Sequence, residues 1–207
     1  MIKSKHKKYI QGFTIVETMV AVSLFVVITT VGMGSLLNAN SVYQKSRDMR
    51  SIMDNLNYVM EDMSRNIRTG YGYHCFDSNE GIGSTIDTNP KSCTNGWAIS
   101  FESSSDGDVT DSNDQWLYYI DSNDGHIFKA TEGPYDDPTN SNFTQMTSEE
   151  ISIDPTLSYF VVTGAEAFPT DNKQPMVTIR LVGNILYKDV ITPFALQTSV
   201  SQRLVDL

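Results

Sequence analysis

The residues of this chain with the types and spacing to carry chemistry fall into a few separate groups. The first is Glu17, a lone carboxylate shortly after the junction Gly12-Phe13 and at the head of an uncharged run, Thr18 to Gln44. An ionisable side chain there must sit near an interface or find an opposite charge, because a charge in lipid is expensive. The second group is Cys75 and Cys93, the only two cysteines. With 17 residues between them in a loop-rich region, they fit a disulfide worth about 3 kcal/mol through loop closure. The third is the acidic run Asp106-Gly107-Asp108-Val109-Thr110-Asp111-Ser112-Asn113-Asp114. Its carboxylates Asp106, Asp108, Asp111 and Asp114 supply hard oxygen donors of the kind Ca²⁺ takes. It departs from an EF-hand loop in the place of its Gly and in lacking the distal Glu, and a solvated loop is the plainer reading. The fourth is aromatic: Trp97, Trp116, Tyr118 and Tyr119 could line a binding groove, although on alternating strands such residues ordinarily form core.

Catalytic patterns are missing from this inventory. There is no G-x-S-x-G, Walker loop, H-E-x-x-H or spaced Cys-His nucleophile pair, and the three histidines, His6, His74 and His126, are scattered. The expectation is a protein with no catalytic residues, no confident metal site and no cofactor other than the candidate Ca²⁺. Charge narrows the partners further. The formal net charge is −10, and the four lysines before Gly12 lie in a head segment without acids, so the rest of the chain is more acidic still. Direct nucleic-acid binding through a broad basic face is therefore not expected.

The elements that must position these groups begin with one long helix. The uncharged run exceeds the roughly 20 apolar residues that span a bilayer core, and the basic residues before it keep the N-terminus in the cytoplasm. Small residues at Ala39-Asn40-Ser41 leave open an ordinary secretory cleavage, but the apolar run is long for a signal peptide. Met49, Ile52, Met53, Leu56, Val59, Met60, Met63 and Ile67 then recur at three- and four-residue steps, one apolar stripe expected to pack on the protein's own sheet. Together they predict a nearly continuous helix from Thr14 to Arg68, about 80 Å long. Gly32 and Gly34 are its weakest interior positions, and Gly70 and Gly72 are expected to end it.

At this point the residues carry a resemblance. Gln11-Gly12-Phe13-Thr14-Ile15-Val16-Glu17, preceded by a basic leader and followed by an apolar run, resembles the signal of type IV pilins and type II secretion pseudopilins. More weakly, Asn55 to Arg68 and Phe194 to Arg203 resemble the post-membrane helix and closing strand of minor pilins and J-type pseudopilins. The resemblance implies cleavage by prepilin peptidase between Gly12 and Phe13 and N-methylation of Phe13. It also implies that Glu17 meets the N-terminal amine of a neighbouring subunit. Its partners would be other pilins or pseudopilins, an assembly platform in the cytoplasmic membrane, and lipid before assembly. The implied location is a single pass in the inner membrane with the head outside, then a surface or periplasmic filament. A Pro common in many pilins near the middle of this helix is absent here. Gly32 and Gly34 would take over the role of letting the helix bend or melt in a filament.

The division expected on these grounds is a leader over 1–12, a membrane and filament-core helix over 13–37, its amphipathic continuation over 38–68, and a β-rich head over 69–207. The fold class is α+β, a long N-terminal helix packed on an antiparallel sheet. Tyr71 to Asn95, rich in Gly, Ser, Thr and Asn, reads as surface loop. Strands are expected at 97–101, 115–120, 127–130, 150–153, 157–162, 176–182 and 194–200, with Asp121 to Gly125 as a hairpin turn. Two rivals to a filament subunit remain: an adhesive or ligand-binding module carried on a filament, and an anchored protein that never polymerises.

Overall fold

The computed structural model describes residues 12–104, 108, 110–136, 142–166, 173–188 and 190–203. Its architecture is α+β: α1 (Ile15–Thr69) is followed by ten strands in two antiparallel sheets. Thr14 opens the helix as its N-cap, with the Glu17 N–H donating to Thr14 Oγ1 at 3.3 Å. A Thr-x-x-Glu pattern is the sequence signature of such a start. At the other end the Gly70 N–H donates to Asn66 O at 2.9 Å. Gly70 is needed there for space, because a Cβ would strike the Phe101 ring. Gly72, also expected at the helix end, lies inside the next strand with a positive φ of 65°.

The chain divides into two compact units, Met1–Asp48 and Met49–Leu207. The described part of the first is the front of α1, every residue of which is exposed apart from partial cover at Lys45 and Asp48. Its backbone is helical without interruption through Gly32 and Gly34. Hydroxyls inside the apolar run turn back on the helix: Thr18 donates to Ile15 O, Ser23 to Met19 O, Thr29 to Phe25 O and Thr30 to Val26 O. Each thereby satisfies a group that lipid cannot solvate.

In the second unit the rear of α1 lies in the core. Ile52, Leu56, Val59, Met63 and Ile67 are buried, and Met49, Met53 and Met60 pack half-buried around them, so the whole predicted stripe is used. The first sheet runs in the order β1-β3-β4-β5-β6: β1 (Tyr71–Phe76), β3 (Ala98–Glu102), β4 (Trp116–Ile120), β5 (Ile127–Ala130), β6 (Phe143–Gln145). The second runs β10-β9-β8-β2: β2 (Cys93–Gly96), β8 (Tyr159–Thr163), β9 (Met176–Tyr187), β10 (Val190–Ser201). In addition, β7 (Ile151–Ile153) pairs with β9. The main core combines the helix stripe with Tyr73, Ile99, Phe101 and Tyr118 of the first sheet and Phe160, Ile179 and Leu181 of the second. A smaller core, with Phe76, Leu117, Tyr119 and Tyr135, covers the opposite face of the first sheet.

Polar groups also fix the helix to the first sheet. Asp62, 6% exposed, accepts from Tyr118 Oη at 2.6 Å and from Lys129 Nζ at 3.0 Å, and Asn66 donates to Tyr118 Oη at 2.8 Å. Lys129 lies over the Trp116 ring, 4.5 Å from its centroid. Burial by itself would raise the Asp62 pKa, but the Tyr118 and Lys129 hydrogen bonds and the Lys129 charge together hold it below the ordinary carboxylate value.

All seven expected strand segments form, and the Asp121–Gly125 hairpin turn is present, with the Asn123 N–H on Asp121 Oδ1 at 3.0 Å and Gly125 at φ 67°. The expected loop over Tyr71 to Asn95 is corrected, since it contains β1 and the start of β2. β1 escapes a reading based on alternation because its last four residues are all buried, with cores on both faces of its sheet. A register irregularity between Tyr71 and His74, with Gly72 at its centre, further masks it. The three-residue β6 was also unforeseen.

Candidate functional sites

At the N-terminus the structure describes Gly12 and Phe13, while residues 1–11, most of the expected leader, lie outside the described residues. Phe13 is 81% exposed and precedes the capped first turn. Glu17 occupies the third position of that turn, where a carboxylate complements the positive end of the helix dipole. Its side chain is exposed, and among the described residues it forms no ion pair. Among the described residues, α1, whose first turn holds Glu17, is long and apolar enough to cross a membrane, and its most apolar stretch is entirely unburied. The N-cap Thr14, three residues before Glu17, is a signal that sequence reasoning overlooked.

Cys75 and Cys93 form a disulfide with Cα atoms 5.8 Å apart. Its placement exceeds what spacing implies, because Cys75 belongs to β1 of the first sheet and Cys93 to β2 of the second. The bond therefore ties the two sheets together beside the core. Gly96 is the neighbour that permits it, since a Cβ there would collide with the Cys75 sulfur. Next to it, Glu166 accepts from the Ser92 N–H at 2.9 Å and from Ser92 Oγ at 2.6 Å. These bonds outweigh its desolvation and lower its pKa.

The acidic run forms the β3–β4 connection. Asp106 lies outside the described residues; Asp108, Asp111 and Asp114 are described. Each is held by loop hydrogen bonds. Asp108 Oδ1 accepts from Thr110, Asp111 Oδ1 accepts from the Asn113 N–H, and Asp114 Oδ2 accepts from the Asp108 N–H at 2.9 Å. Two residues at the root of this loop join them that the sequence did not single out. Glu102 is 2% exposed and Gln115 is fully buried. Extending the β3/β4 register by one step from Phe101↔Trp116 makes them cross-strand neighbours. Among the described residues, no hydrogen bond of ordinary distance and angle reaches the Glu102 carboxyl oxygens, Asp114 Oδ1 or the amide atoms of Gln115. The Gln115 amide is the carboxyl's hydrogen-bonding neighbour, at a geometry looser than an ordinary hydrogen bond. Burial first, then the charges of Asp114, Asp108 and Asp111, push the Glu102 pKa up to about 7. Among the described residues no three His, Cys, Asp or Glu side chains stand ready-made around one metal position.

The four aromatics do not share a groove. Tyr118 faces the main core and Trp116 packs against it, whereas Tyr119 and Trp97 belong to the smaller core on the other face. Trp97 and Tyr119 do border an open depression of 430 Å³ with Ser78, Asp121, Ser122 and Pro155. Trp97 is anchored there by its indole N–H on Asp77 O at 3.0 Å. The histidines are similarly apart: His74 Nδ1 lies 2.7 Å from Asn89 O, and His126 Nδ1 lies 3.2 Å from Thr147 Oγ1.

The fold and sites thus describe an α+β protein whose long N-terminal helix packs its rear on antiparallel sheets, an arrangement consistent with a pilin-like architecture. No protein-family model, curated protein or solved structure matches the chain.

Proposed function

We propose that this chain is a structural subunit of a type IV filament system, more narrowly a minor pilin or pseudopilin. In this reading it is made as a single-pass protein of the inner membrane with its head outside the cytoplasm. Prepilin peptidase cuts between Gly12 and Phe13, the new Phe13 amine is methylated, and the chain joins other pilins or pseudopilins through α1. The observation that carries the reading is the front of α1, apolar on all sides and exposed from Ile15 to Gln44, with a single carboxylate in that stretch, one turn past Phe13. A helix apolar all round needs surroundings from outside the chain, and lipid and then neighbouring helices supply them in turn.

Glu17 has a defined part in that transfer. Once the chain is cut, Phe13 carries an α-amine that is mostly protonated at neutral pH. A carboxylate and an ammonium that are each costly in lipid become tolerable when packing of a second subunit pairs them. The role of the chain is therefore chemistry performed on it and contacts made by it, with no reaction of its own. Substitution Glu17→Ala tests this. Membrane insertion and head folding should survive while incorporation into filaments fails, and normal incorporation of the variant would discard the assembly mechanism.

A further inference from the structure

The last strand, β10, lies at the edge of the second sheet and pairs with β9 alone. Its register shows which of its backbone groups remain free. On β9 the Val182 carbonyl accepts from the Asp154 N–H at 2.8 Å and the Leu186 N–H donates to Glu150 O at 2.8 Å, so the even-numbered residues of β9 turn their backbone groups toward β7 and β8. Its odd-numbered residues turn theirs toward β10, where Ile179, Leu181 and Gly183 face Thr198, Leu196 and Phe194. The N–H and C=O groups of Ala195, Gln197, Ser199 and Ser201 therefore point away from β9, and all four residues are exposed. This open edge is bounded at both ends. Pro193, of the same parity, has no N–H to offer, and past Ser201 the Arg203 N–H donates to Arg68 O at 2.8 Å. Natural edge strands are ordinarily blunted by charge, proline or a cover, whereas Ala195 to Ser201 holds no charge and no proline.

Beside this edge lies a groove of about 300 Å³, between Glu61, Ser64, Arg65 and Arg68 of α1 and Thr198 to Val200 of β10. Arg65 and Arg68 are exposed, and among the described residues neither forms an ion pair. With Arg203 bonded to the Arg68 backbone, the groove keeps an excess of positive charge over Glu61 in a chain of net charge −10. We propose that this edge and groove receive an extended acidic segment of a partner protein, which adds to the second sheet as a further strand. Its main chain bonds along Ala195 to Ser201 and its carboxylates meet Arg65 and Arg68. Main-chain bonds give such a strand its affinity, and the arginines select for acidic side chains. A second copy of this chain is the poorer occupant, because an antiparallel β10–β10 pairing centred on Thr198 brings the two arginine pairs together. The surface belongs to the second unit and does not depend on the filament reading.

The test uses the full chain in nonionic detergent micelles and a fluorescent peptide of about eight residues, alternating valine with aspartate and blocked at both ends, long enough to cover the open edge at about 3.4 Å per residue. Fluorescence anisotropy should show saturable binding. Replacing the aspartates by lysine, or combining Arg65→Gln with Arg68→Gln, should weaken it at least about fivefold, the scale of two exposed ion pairs. N-methylation of alternate peptide amides should abolish binding in one parity and spare it in the other, because an added strand turns every second N–H to its neighbour. Gln197→Pro removes an outward N–H and no bond to β9, and an edge strand accepts proline at such a position. It should abolish binding while the unfolding transition followed by tryptophan fluorescence stays in place; if the variant fails to fold, the N-methylation parity decides. No binding at about 1 mM peptide, equal binding of the lysine peptide, N-methylation patterns that act alike, or unchanged binding by folded Gln197→Pro would overturn the proposal. So would binding that appears only after deletion of residues 204–207, which would give the edge to the chain's own tail, or self-association abolished by Gln197→Pro, which would give it to a second copy.

Discussion

Along the front of α1, Ile15, Phe25, Ile28 and Leu36 are between 67% and 80% exposed, while along its rear Leu56, Val59, Met63 and Ile67 are at 0%. The backbone is the same; the side-chain patterns differ. The front has apolar residues on every side, interrupted from Thr18 to Leu37 by hydroxyls alone among polar side chains, whereas the rear confines its apolar residues to one stripe and puts Asp62 where Tyr118 and Lys129 can reach it. A stripe is answered by the chain's own sheets. A surface apolar all round is not, so in the proposed reading the front is left to lipid and other subunits, while the rear is covered by the rest of its own chain. Both tryptophans, Trp97 and Trp116, lie in the second unit, so their fluorescence reports the unfolding of that unit alone.

The largest break should come at Asp62. Asp62→Ala leaves the Lys129 ammonium partly buried without its acceptor, a loss of about 3–5 kcal/mol for one member of a buried pair. Denaturant unfolding followed by tryptophan fluorescence measures it. The double change Asp62→Leu with Lys129→Met should recover much of the loss, because the desolvation penalty disappears with the charges. The pH dependence has a definite sign. The folded Asp62 pKa is lowered, so its contribution is fully present above the unfolded value of about 3.9 and is lost as pH falls through the folded one. Acid titration of the wild type should therefore show a stability decline below about pH 4, of which Asp62→Asn lacks its share.

Next comes a direct contrast between the halves. Leu56→Ala should lower head stability by about 2–5 kcal/mol through lost burial and a residual cavity. Leu24→Ala, the same chemistry in the front half, should leave it within about 0.5 kcal/mol of wild type. Equal losses at the two positions would show that the front, too, is part of the folded head. Reducing the disulfide, or Cys75→Ser with Cys93→Ser, should remove about 3 kcal/mol from the same transition by freeing the loop in the unfolded chain.

The contrast also explains what could be read from sequence. The helix stripe was legible because one face is buried and the other wet, so residue type tracks period. The β4–β5 hairpin was legible because its turn chemistry is local. β1 was not, since strands covered on both faces lose alternation and its Cys75 acquires a cross-sheet role only through Cys93. Among the site residues, the acidic run was visible as composition. Glu102 and Gln115 were invisible, because a Glu at the end of an apolar strand looks like a solvent-facing terminus until register and burial place it. Glu17 was found for its position after Phe13, while its part in a helix cap went unnoticed.

That double identity sets the smallest and most discriminating prediction. Glu17 stands at a capped helix start, so a defect in Glu17→Ala could arise from a frayed first turn as well as from a lost intersubunit pair. Thr14→Ala separates the two. It removes the Oγ1 that accepts the Glu17 N–H and should cost about 1 kcal/mol locally, the usual value for an N-cap. Hydrogen exchange in micelles should show the amides of Val16 and Glu17 losing protection, with the tryptophan-detected transition unmoved. If Glu17 works by pairing with a neighbour's amine, Thr14→Ala filaments still assemble, because the carboxylate remains one turn from Phe13. If Thr14→Ala blocks incorporation as fully as Glu17→Ala, helix order at the N-terminus is the requirement and the charge is incidental.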